Sequence, residues 1–125
     1  MQRFSYVMAA LAVVTLAGCG KSVDAKREDI VRCSGFSLAL LNVRPGSPLE
    51  VSTEAALSKD GISARDTFPL GGAGQTYASQ MDPAKVTRLA QEGAASAMGL
   101  INKNDAGGIA DYLKGCVATY KDLGS

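Results

Sequence analysis

Apolar residues recur at three- and four-residue spacing through most of the chain, the spacing that collects side chains on one face of an α-helix. From Ala25 to about Val43 one face carries Ile30, Cys33, Ser37, Leu40 and Leu41, with Val31, Phe36 and Leu38 beside it. Asp24 is the expected cap of this first helix, its carboxylate accepting from the free amides of the opening turn. The run Arg44-Pro45-Gly46-Ser47-Pro48 ends it, since neither proline donates an amide and glycine supplies turn geometry. A second helix, the weakest in apolar content, is predicted from about Leu49 to Ser58.

After the turn pair Asp60-Gly61 no period is sustained until about Ala78, and a long loop is expected there, pinned by Ile62, Phe68, Leu70 and Tyr77. The second half is clearer. Asp82-Pro83 reads as a cap followed by proline in the first helical position. A third helix follows to about Asn102, with Val86, Leu89, Ala90, Gly93, Ala97, Leu100 and Ile101 at helical spacing. Its face is small at Ala90, Gly93, Ala94 and Ala97, so another helix can approach closely. Asn104 or Asp105 caps a fourth helix carrying Ile109, Tyr112, Leu113, Cys116, Tyr120 and Leu123. With no alternating Val, Ile and Thr pattern and no internal repeat, the expected fold is all-α, a small bundle of three or four helices.

The amino-terminal stretch has a different character. One basic residue, Arg3, precedes an uncharged, mostly apolar run from Phe4 to Leu16. At 1.5 Å per residue that run covers about 20 Å, short of the roughly 30 Å hydrocarbon core that a spanning helix must cross. A cleaved signal is the better reading. The run ends in Leu16-Ala17-Gly18-Cys19, which resembles the lipobox of bacterial lipoproteins. In that family a diacylglycerol is attached to the cysteine thiol, the chain is cut just before it, and the new amine is acylated. The resemblance covers residues 1–19 alone and implies a leader over 1–18 and a lipidated Cys19 opening a short tether over 19–25; the helical spacing places the domain over 26–125. Two or three acyl chains hold a protein to a membrane far more firmly than one.

The same resemblance bears on sorting through Gly20, Lys21 and Ser22. Enteric bacteria retain many lipoproteins in the inner membrane when aspartate follows the cysteine, and Gly20 departs from that rule. Lys21-Ser22 resembles a retention signal of pseudomonads. The expected location is therefore the periplasmic side of the cell envelope, on either membrane.

An oxidising compartment changes the reading of the remaining thiols. Cys33 and Cys116 lie on the apolar faces of the first and last predicted helices, and a bridge between them closes a loop of about 84 residues, for which chain entropy gives up to about 4.5 kcal/mol. A structural staple is expected; a redox pair would lie closer in sequence, as in C-x-x-C.

The chemistry available is narrow. There is no histidine, which removes the commonest general base and the commonest metal ligand. The three cysteines already have expected roles, so neither a metal centre nor a cofactor is predicted beyond the lipid on Cys19. Carboxylates such as Asp60 with Asp66, or Asp105 with Asp111, are six residues apart in no context that would raise a pKa. Gly71-Gly72-Ala73-Gly74 lacks the Lys-Ser or Lys-Thr of a phosphate loop and reads as flexible chain. Without Arg3 twelve basic residues balance twelve acidic ones, which offers no electrostatic case for nucleic acid.

The leading expectation is thus a non-catalytic, membrane-tethered module that binds an envelope protein. Its plan is similar to that of type II secretion pilotins or of lipoprotein immunity and exclusion factors. A small-ligand carrier, using a cavity beneath the 62–78 segment, is the alternative; an enzyme relying on Ser, Lys or Asp is a third class. The root of this reading is open to labelling: cells given a clickable fatty acid should acylate the wild-type chain and not Cys19→Ala, and lipid retained by the variant would overturn the lipobox assignment.

Overall fold

A computed structural model of the chain describes residues 21–124. Cys19 and Gly20, with the leader, lie outside the described residues. Five helices of ten residues or more build the domain: α1 Val23–Ala39, α2 Pro48–Lys59, α3 Pro69–Ala78, α4 Pro83–Asn102 and α5 Ala106–Leu123. A 3-10 turn, Leu40–Asn42, follows α1, and a four-residue helical turn, Ala64–Thr67, precedes α3. Among the described residues there is no strand.

The helix starts follow capping chemistry. Ser22, rather than Asp24, caps α1, its Oγ accepting from the Ala25 amide at 3.1 Å. Asp24 instead lies in the first turn, where a negative charge favours the positive end of the helix dipole. Helix formation thus begins inside the stretch expected to be tether. Asp82 accepts from the Ala84 and Lys85 amides ahead of α4, with Pro83 in the first position as predicted. At α2, Ser47 accepts from the Glu50 amide while the Glu50 carboxylate accepts from the Gly46 amide at 2.7 Å, an arrangement that uses the positive φ of Gly46. Asp105 caps α5 through the Gly108 amide at 2.8 Å.

Phe68, expected to pin the 62–78 segment to the core, is exposed, and two further expectations are corrected. Among the described residues the bundle has five helices, not three or four, because the segment expected as a loop over 62–78 is helical. Pro69 opens α3, and Leu70, Gly74 and Tyr77 then fall one and two turns apart on the side facing α1. Leu70 is fully buried, yet a glycine in the middle of that stripe adds nothing to a hydrophobic count, so the period is invisible in sequence. The second correction concerns Leu41, expected on the inward face of the first helix and in fact exposed. The α-helix stops at Ala39, and the tighter 3-10 turn moves Leu41 away from the core.

α1 is the central element and packs against α4, α3 and α5. Ion pairs at one end of α1 (Glu28 with Lys85, 2.5 Å) and contact at the other (Asn42 with Met98) set α4 alongside α1 in the same direction. α5 runs back, as the Lys26–Asp122 ion pair, the Cys33–Cys116 bridge and the Phe36–Tyr112 stack show in turn. Ile30, Phe36, Leu70, Leu89 and Ile109 are the largest fully buried side chains.

α1 and α4 touch through their backbones. A Cβ built on Gly35 would overlap the Ala90 carbonyl, and one on Gly93 would overlap the Arg32 carbonyl and crowd the Phe36 amide. At Gly74 a Cβ would overlap the Ser34 side chain, so α3 reaches α1 by the same device. The small face predicted for the 83–102 helix is thus used inside the domain.

These contacts separate the glycines by sign. Gly93→Ala or Gly35→Ala should each lower the unfolding free energy by about 3 kcal/mol or more, because backbone cannot repack around a methyl. Gly71→Ala and Gly72→Ala meet open space within a helix and should raise it by about 0.5–1 kcal/mol each. Urea denaturation of the four variants checks the contrast, and equal effects at all four positions would refute the crossing.

Candidate functional site

The bridge between Cys33 and Cys116 is formed, with a Cα–Cα separation of 5.9 Å and both residues buried. Beside it the candidate sorting residues have structural roles of their own. Ser22 caps α1, and Lys21 Nζ lies 2.7 Å from Asp29 Oδ2. That pair opens a surface network, in which Arg32 joins Asp29 and Glu92 at 2.8 Å each, and Arg88 adds a second cation to Glu92 at 3.2 Å. The network spans the α1–α4 crossing.

Its electrostatics favour fixed charge over proton transfer. The hydrogen bond from Arg32 holds the Glu92 carboxyl below its ordinary range, and the same bond holds the Arg32 guanidinium more firmly protonated. Burial pushes the Tyr112 phenol up, as its ring stacks on Phe36 with centroids 3.8 Å apart and planes 4° from parallel. Asp66 is likewise held down, chiefly by the Ser63 amide it caps at 2.9 Å. Asp60 pairs with Lys114 at 3.5 Å. The glycine run 71–74 is part of α3, with Gly74 buried against α1.

A concavity lies elsewhere, between α2, the Ile62–Thr67 segment and α5. It is a cleft of ≈380 Å³ with apolar walls from Leu40, Val43, Leu57, Ile62, Ile109 and Leu113. Glu50, Glu54, Ser58 and Ser63 also line it, and among the described residues no lysine or arginine does. Its origin is local. α2 turns Leu49, Thr53 and Leu57 inward at successive turns, and Thr53 and Leu57 form part of the cleft wall.

Thr53 is only 8% exposed, and its Oγ1 is buried without a hydrogen-bond partner among the described residues. An orphaned buried hydroxyl costs about 1–3 kcal/mol, so the position is unfavourable as it stands. The sequence reading did not single out Thr53; a hydroxyl between two leucines at four-residue spacing was the available signal. A second surface feature was also missed. Leu38 and Leu41, one turn apart, are 64% and 79% exposed, and the Asn42 amide beside them reaches Met98 Sδ at 3.7 Å.

No family model, curated protein or solved structure matches this chain. Among the described residues no helix is long and apolar enough to cross a membrane, and no group of three or more Cys, Asp or Glu gathers as a metal-binding set would.

The network has a pH signature. A carboxylate whose folded pKa lies below its ordinary value of 4.5 contributes stability that is present above that value and is lost as pH falls through the folded one. Urea midpoints measured from neutrality into acid should therefore fall for the wild type and fall less steeply for Glu92→Gln. Parallel curves would show that the pairing with Arg32 adds nothing to stability.

Proposed function

We propose that this protein is a lipid-anchored module of the bacterial envelope that binds another protein and catalyses no reaction. The observation that carries binding is the exposed apolar turn formed by Leu38 and Leu41, beside which Asn42 reaches Met98. Grouped large apolar side chains left in water characterise contact surfaces, whereas scattered single ones carry no such meaning. α1 gives this turn a direction. Its first residue, Val23, is four positions after Cys19, while Leu38 lies in its last turn and Leu41 just beyond its other end. Seventeen residues at 1.5 Å place the two ends about 25 Å apart. An anchor at Cys19 would leave the apolar turn at the end remote from the tether, where a partner in the periplasm meets it.

Support for the envelope comes from the lipobox resemblance together with the disulfide, which persists in an oxidising compartment. The plan of anchor, staple and helical domain is similar to that of secretion pilotins and of immunity or exclusion lipoproteins. Between the two membranes the choice turns on Lys21 and Ser22, whose ion pair and cap already tie them to the domain.

Full-length protein purified from a detergent extract should carry a stoichiometric envelope protein. Leu38→Glu with Leu41→Glu should lose that protein while melting within a few degrees of the wild type, since both side chains are exposed. A partner retained by the double variant would overturn the assignment of the surface.

A further inference from the structure

We propose that the cleft between α2 and α5 is a binding site for a small amphipathic cation, an apolar body carrying one ammonium or guanidinium group. This surface is separate from the turn proposed for a protein partner, so the two readings fail independently.

Size and lining point to a ligand. A volume of ≈380 Å³ falls within the range of small-molecule pockets, which pair apolar walls with a few polar groups. Charge selects its sign. The charged side chains at the cleft are Glu50 and Glu54. Glu50 is partly occupied by the Gly46 amide at 2.7 Å, whereas Glu54 makes no ion pair or side-chain hydrogen bond among the described residues. A fatty acid or other anion would bring a carboxylate against these two, and a cation would neutralise them.

Thr53 is the independent observation. Valine has the same shape and would suit an apolar wall without leaving a hydroxyl orphaned, yet the chain has threonine, nine-tenths buried and unpartnered. Threonine in a helix divides between two χ1 rotamers when its hydroxyl finds the carbonyl one turn back, a bond absent here. Rotation by about 120° exchanges hydroxyl and methyl without moving the backbone. The hydroxyl then accepts from the ligand's N–H, and the apolar body lies along Leu57, Ile109 and Leu113.

The test titrates the full-length chain in zwitterionic nanodiscs, with empty nanodiscs as reference, against 4-phenylbutylammonium, 4-phenylbutanol and 4-phenylbutyrate. The ammonium should bind saturably and about tenfold more tightly than the alcohol, the scale of one or two partly screened charge contacts, with the carboxylate weakest. Glu54→Gln, an exposed change, should remove the preference for ammonium over alcohol without altering the melt. Thr53→Val should melt at the same or a higher temperature and weaken the ammonium. Equal binding of all three probes, no binding of the ammonium, or variants that bind it as the wild type does would each overturn the proposal.

Discussion

Backbone contact between α1 and α4 is the constraint from which most of this domain follows. Gly35 and Gly93 remove the two Cβ atoms that would hold the helices apart, so main chain meets main chain at the Ala90 and Arg32 carbonyls. That approach brings Arg32 within 2.8 Å of Glu92 and buries Phe36 against α4. Tyr112 can then close over Phe36 as a parallel stack, one turn from the cysteine bridge. Network, aromatic pair and disulfide are arranged along one side of the same crossing.

Close approach through glycine has an energetic consequence. Dispersion contacts are dense, but small side chains remove little apolar area from water and glycine weakens the helices that contain it. α3 illustrates the problem, since three of its ten residues are glycine and its helical state depends on packing Leu70, Gly74 and Tyr77 against α1. A covalent link between α1 and α5 offsets part of this by restricting the unfolded chain, with an upper value of about 4.5 kcal/mol for the loop it closes. A core short of large side chains and a staple joining its first and last helices therefore belong together.

α2 stands apart from this arrangement. It leans on α5 with Leu49 and Leu57, and Thr53, between them, is part of the cleft wall. The domain thus has a closely packed side, where α1 meets α3, α4 and the bridge, and an open side bordered by carboxylates. The exposed turn of Leu38 and Leu41 begins where α1 ends, and the neighbouring residues Leu40 and Val43 line the cleft. Both surfaces available for binding arise at the carboxyl-terminal end of α1, where the helix gives way to the 3-10 turn.

Local chemistry is what the chain by itself determined. Proline after a capping residue set the start of α4, apolar residues at helical spacing marked α1, α4 and α5, and two thiols on inward faces identified the bridge, because each signal depends on neighbours within a turn or two. The lipobox resemblance is local as well and concerns residues outside the described part. Tertiary structure decided the rest. α3 is helical because a glycine at position 74 leaves room for the Ser34 side chain of α1, a reason that leaves no apolar mark in its own segment. Leu41 is exposed because α1 ends at Ala39, and Thr53 is buried without a partner because α2 packs that face against the domain. A cleft is space between elements, and no residue's own character declares it.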